Sequence, residues 1–204
     1  MRRLYDSTSS EDSSTLNLTA IRLTPSQYAV ARDVLRDAHA GGVCLIRGTR
    51  GIGKTTLLRW LASRITGTLL SARQGKLEQA IGTDSIVLAD DAQHLSSDDL
   101  RRLSWQARVR RTTVVLASTW QESHEENEPL RAGIHRLPRL TARDLACLGR
   151  EYLGESSERI DFRKVLRQVP AIDGHRLKSA CLWLGLRDAE PDTNALLAYL
   201  RDRR

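Results

Sequence analysis

The 204-residue chain contains no run of about 18 apolar residues, so no segment is long enough to cross a membrane as a helix. Polar residues, not an apolar stretch, follow Arg2 and Arg3, which argues against a secretory or twin-arginine leader. Cysteine is scarce, and Cys44, Cys147 and Cys181 are widely spaced with no C-x-x-C pair. An odd number of scattered cysteines in apolar surroundings predicts reduced thiols and a cytoplasmic location. The five histidines show no H-E-x-x-H or zinc-ligand spacing, so a resident zinc site is not expected. Aromatic residues make up 4% of the chain, too few for a base-stacking platform on single strands.

Arginine is abundant. Lys54, Lys76, Lys164 and Lys178 are the only lysines among 32 basic residues, and the net charge is +7. Residues 131–204 carry 15 basic and 10 acidic side chains, so most of the excess lies in the last third. A basic balance suggests an acidic partner, with nucleic acid the first candidate. Hydropathy periodicity divides the chain into residues 1–22, a Ser/Thr-rich flexible tail, residues 23–138, an α/β core, and residues 139–204, a helical lid. Thr24-Pro25-Ser26-Gln27 predicts a capped helix start, with Tyr28, Ala31, Leu35 and Ala38 facing inward. Short apolar runs at 43–46, 86–89 and 113–117 read as strands buried on both faces, with weaker strands at 68–70 and 134–137. Strands alternating with helices imply a parallel sheet covered on both sides. Beyond Pro138 the pattern is helical, opening with Thr141–Asp144 as a second capping box and continuing at about 158–168, 174–186 and 193–203.

Two motifs carry chemistry. Gly48-Thr49-Arg50-Gly51-Ile52-Gly53-Lys54-Thr55 fits G-x-x-x-x-G-K-[ST] between a strand and a helix. Glycines let backbone N–H groups wrap closely around phosphate oxygens, with the positive end of the next helix behind them. Candidate ligands of ATP are therefore Gly48, Arg50, Gly51, Ile52, Gly53, Lys54, Thr55 and Thr56, with Lys54 reaching the β- and γ-phosphates. Mg2+ would take the Thr55 hydroxyl. The second motif is the strand 86–89 running into Asp90-Asp91. Asp90 is assigned to the metal and Asp91 to the attacking water.

With Asp90-Asp91-Ala92-Gln93-His94-Leu95 following the glycine loop, and Leu140-Thr141 opening a helical lid, the chain resembles the AAA+ ATPases. Within them it is similar to small bacterial ATPases of transposition regulators and secretion-associated proteins. The fold class this implies is α/β: a P-loop NTPase parallel sheet sandwiched by helices, followed by a small all-helical lid. The resemblance also implies a sensor hydroxyl at Ser118 or Thr119. It further implies a trans-acting arginine at Arg131, with Arg136 second, and a lid arginine at Arg176. The expected function is an ATPase that assembles with copies of itself on ATP and acts on duplex DNA through backbone contacts. The alternative is a regulatory or scaffold NTPase whose partner is a protein, with no DNA binding. A small-molecule kinase is disfavoured, because the stretch between the loop helix and the acidic strand is too short for a substrate lid.

Overall fold

Each strong apolar run sends alternate side chains into two different cores. This follows from the two-residue repeat of a strand. In a computed structural model, which describes residues 21–38, 42–74, 76–119, 133–186 and 190–202, these runs form β1 (Gly42–Gly48), β3 (Ile86–Asp90) and β4 (Thr113–Thr119). Two four-residue strands, β2 (Thr68–Ser71) and β5 (Gly133–Arg136), complete a five-stranded parallel sheet in the order β2-β3-β4-β1-β5. Cys44, Ile46, Leu88, Val115 and Ala117 face the core made with α1 (Pro25–Ala38), α2 (Lys54–Ala62) and the lid. Val43, Leu45, Val87, Ala89, Val114 and Leu116 face the core made with α3 (Leu77–Ala80) and α4 (Ser97–Val109). The parallel sheet, the helices on both faces and the helical lid agree with the fold class expected from sequence. Cys44 and Cys181 are buried free thiols. Burial, with Asp37 beside it, pushes the Cys44 thiol up to about 11, and burial pushes Cys181 up to about 12. Both thiols are inert at neutral pH.

The capping box expected at Thr24 forms. The Thr24 N–H donates to Gln27 Oε1 at 3.0 Å and the Gln27 N–H donates to Thr24 Oγ1 at 3.4 Å. The buried stripe of α1 differs from the one expected: it is Gln27, Ala31, Val34 and Ala38, while Tyr28 is 58% exposed. The helix is turned so that the Gln27 amide, not the Tyr28 ring, faces the interior. After β5 every regular element is helical among the described residues: α5 (Ala142–Leu153), α6 (Phe162–Gln168), α7 (Gly174–Gly185) and α8 (Thr193–Asp202). The single helix expected from 158 to 168 is divided. Residues Gly154–Arg159 form a 3-10 stretch, and Asp161 starts α6 by accepting the Arg163 and Lys164 N–H groups. Ile160 and Phe162, on either side of that cap, are both buried, which fixes the break. Leu145, Val165, Leu177, Leu184 and Leu200 of the lid join Leu57, Leu58 and Leu61 of α2 in one continuous core. No described helix is long and apolar enough to cross a membrane.

Candidate functional site

The sheet order brings both motifs to one edge. β4 lies between β3 and β1, and Gly48 at the end of β1 is in register with Thr119 at the end of β4. The glycine loop, the β4 terminus and the acidic end of β3 therefore share the crevice outside the carboxyl ends of the strands, where ligands bind in open α/β sheets. Gly51 at φ 76° and Gly53 at φ 97° occupy the left-handed region that a side chain would strain. A Cβ on Gly48 would lie 2.9 Å from Ile52 Cγ2, so any other residue there would have to displace that side chain. Gly53 precedes α2 without any side-chain cap, which leaves the first N–H groups of the helix available to an anion. The Ile52 side chain is buried in the core, so only its backbone can serve a ligand. Arg50 and Thr55 are exposed and Thr56 is half-buried.

Lys54 arches over the loop, its Nζ donating to Gly48 O and Thr49 O, each at 2.9 Å. Burial lowers its pKa, while the nearby Asp90 and Asp91 carboxylates oppose that shift. The Thr55 hydroxyl donates to the Asp90 carboxylate, so the two residues assigned to Mg2+ are in direct contact. The described residues include no group of three or more His, Cys, Asp or Glu able to hold a metal ion. A hydroxyl and a carboxylate fit Mg2+, which keeps most of its oxygen ligands from phosphates and water.

Asp91 is one of two non-glycine residues at positive φ among the described residues, at 61°. Its Oδ1 accepts from Gln93 Nε2 at 3.0 Å, and its Oδ2 lies 3.3 Å from Arg73 Nε. Gln93 Oε1 in turn accepts the Thr119 N–H at 3.2 Å, tying the acidic strand end to β4. Ser118 is half-buried, and its hydroxyl donates to Thr119 O at 3.3 Å. Arg73 and Gln93 received no role in the sequence reading. Gln93 stood within the Asp-Asp-Ala-Gln-His-Leu stretch and had a signal, whereas Arg73 reaches Asp91 from the turn after β2 and had none.

The lid touches the loop through backbone. The Gly174 N–H donates to Gly51 O at 3.1 Å, and a Cβ on Gly51 would lie 2.7 Å from Asp173 Cγ. Arg176 follows directly, but its guanidinium donates to Leu200 O at 2.8 Å and so faces α8. Arg136 ends β5, in register with Arg47 of β1. Arg131, the acidic segment 121–129 and residues 1–20 lie outside the described residues. Of the arginines on and just after α4, Arg101 pairs with Asp98 at 3.2 Å and Arg102 with Glu78 at 3.7 Å. Arg110 donates to Ile81 O at 2.9 Å. Arg108 and Arg111 are exposed, and Trp105 is 66% exposed beside them.

Sheet order, glycine loop and trailing helical lid define a P-loop NTPase fold: a parallel sheet sandwiched by helices and followed by a helical lid. No family model matches the chain, and no curated protein matches it. Among solved structures it is similar to domain III of the replication initiation protein DnaA from Thermotoga maritima, with a TM-score of 0.58 and 16% identity over 88% of this chain and 93% of that one. It is also similar to a P216G mutant of Thermotoga maritima RuvB, with a TM-score of 0.60 and 18% identity over 88% of this chain and 73% of that one. AMPPCP-bound DnaA from Aquifex aeolicus matches with a TM-score of 0.57 and 14% identity, over 78% of this chain and 60% of that one. At these identities the likeness is one of fold.

Proposed function

We propose that the chain binds ATP with Mg2+, hydrolyses it, assembles with copies of itself in doing so and acts on duplex DNA, in the manner of transposition regulators or DNA-loading ATPases. The observation that carries the nucleotide reading is the meeting of an uncapped α2 start, the Lys54 ammonium and the Thr55–Asp90 pair at adjacent strand ends. The Ile52, Gly53 and Lys54 backbone N–H groups donate to phosphate oxygens, and Lys54 supplies the cation for the β- and γ-phosphates. Mg2+, held by Thr55 and Asp90, would neutralise charge on the phosphates. Asp91 orients the water whose oxygen bonds to the γ-phosphorus as the bond to the bridging oxygen breaks. Ser118 is the polar group at the β4 end for that water or the γ-phosphate. Arg131 is the arginine offered to a neighbouring subunit's phosphate, and Arg176 becomes a lid contact only by leaving Leu200 O.

Titration calorimetry with ADP and ATP tests this reading. Wild type binds with a 1:1 stoichiometry, and Lys54→Ala loses about 2–3 kcal/mol, the range of a hydrogen bond to a charged group. Equal affinity in Lys54→Ala would remove the loop from nucleotide binding. A second reading, a protein partner and no DNA, is favoured by Trp105, since an exposed tryptophan among arginines is the composition of a protein contact. Light scattering with and without ATP, duplex DNA and salt separates the two.

A further inference from the structure

We infer that Gln27, on the first turn of α1, is a positioning residue for the phosphate loop, aiming the Gly53 N–H at the diphosphate. This rests on the nucleotide reading above. Gln27 is 5% exposed, and both ends of its amide are used: Oε1 accepts the Thr24 N–H and Nε2 donates to Ile52 O at 3.1 Å. In a trans peptide the C=O and the following N–H point in opposite directions. Holding Ile52 O outward against Gln27 therefore turns the Gly53 N–H to the other side of the loop. The lid does the same one residue earlier, where the Gly174 N–H holds Gly51 O and so turns the Ile52 N–H. The Gln27 side chain lies directly over Gly53, at the place where a Cβ would stand. The start of α1 is itself anchored, because the Ser26 N–H and hydroxyl donate to the two oxygens of Asp144 in α5 at 2.9 and 2.8 Å. One helical turn thus grips the loop on one side and the lid on the other, and lid position passes to the loop's donors through Gln27.

Two substitutions separate this role from capping. Gln27→Met keeps the volume and removes both hydrogen bonds. Gln27→Glu keeps the acceptor for the Thr24 N–H but removes the donor to Ile52 O. Both are expected to weaken ADP binding roughly tenfold, the equivalent of one hydrogen bond, while only Gln27→Met also loses the cap in a melt without nucleotide. The Gly53 amide proton, followed by nuclear magnetic resonance, moves strongly downfield on ADP addition in wild type and much less in both variants. Wild-type ADP affinity and an unchanged Gly53 shift in either variant overturn the proposal and leave the nucleotide reading standing. Failure of wild type itself to bind ADP overturns the nucleotide reading instead.

Discussion

Asp91 adopts a left-handed backbone that costs a non-glycine residue roughly 1–2 kcal/mol. Such a conformation persists where neighbours over-determine it. Here Arg73, Gln93 and, through Gln93, the Thr119 N–H hold the carboxylate in one orientation. Asp90, one residue earlier, is engaged differently, taking the Thr55 hydroxyl and the Asp91 N–H at 2.9 Å. The two adjacent carboxylates thus have different partners, in keeping with the proposed division between metal and water. Asp91→Asn keeps size and one acceptor oxygen, turns an N–H toward either Gln93 or Arg73, and removes the charge proposed to draw a proton from water. It is expected to retain ADP affinity while slowing phosphate release by about 10²-fold or more, the range for a positioned acid–base group. Steady-state phosphate release beside an ADP titration measures both, and unchanged turnover would take Asp91 out of catalysis.

At the level of elements, the joint between α1 and α5 is buried and charged. Asp144 is fully buried and accepts from the Ser26 N–H and hydroxyl and from the Thr141 N–H and hydroxyl. Burial works against its charge, but those donors outweigh it and hold the carboxyl below its ordinary value. A carboxyl with a depressed folded pKa adds stability that is complete above the unfolded value, near 3.8, and is lost as pH falls through the folded one. Urea denaturation from pH 7 to pH 3 is expected to show wild type losing stability below that value. Asp144→Asn, whose amide opposes the same donors, starts about 2–4 kcal/mol lower at pH 7 and changes less with acid. Parallel pH curves for the two proteins would remove Asp144 from the acid response. The Thr141 capping box was readable because its partners lie three residues apart. The glycine loop and Asp90-Asp91 were readable for the same reason, as each motif is contiguous. The Ser26–Asp144, Gln27–Ile52 and Arg73–Asp91 contacts join separate elements, and no spacing rule reports them. The α1 stripe was misread on this account: hydropathy ranks Tyr28 above Gln27, yet Gln27 is buried because Ile52 O and the Thr24 N–H satisfy its amide.

For the whole molecule, the question is what the net charge of +7 meets. Arg73, Arg101 and Arg102 already face Asp91, Asp98 and Glu78, so the excess is carried by other basic side chains. Surface pairs of this kind add little stability, so they mainly decide which arginines are free for a partner. Arg108 ends the exposed face of α4, and Arg111 follows it at φ 55°, held out from the fold by the turn into β4. If duplex DNA lies along this face, each arginine neutralises one phosphate and releases its counterion. The plot of log affinity against log salt then becomes shallower by about one for each arginine removed. The double substitution Arg108→Ala/Arg111→Ala is therefore expected to lower the slope by about two, with an equal effect on unrelated sequences, because backbone contacts carry no base information. Fluorescence anisotropy of a labelled duplex between low and physiological salt, with ATP present, reads the slope directly. Wild-type binding with an unchanged slope in the double variant would move the DNA surface off α4. No wild-type binding even at low salt would leave a protein partner as the occupant, with Trp105 rather than the arginines as the residue whose loss to alanine costs most.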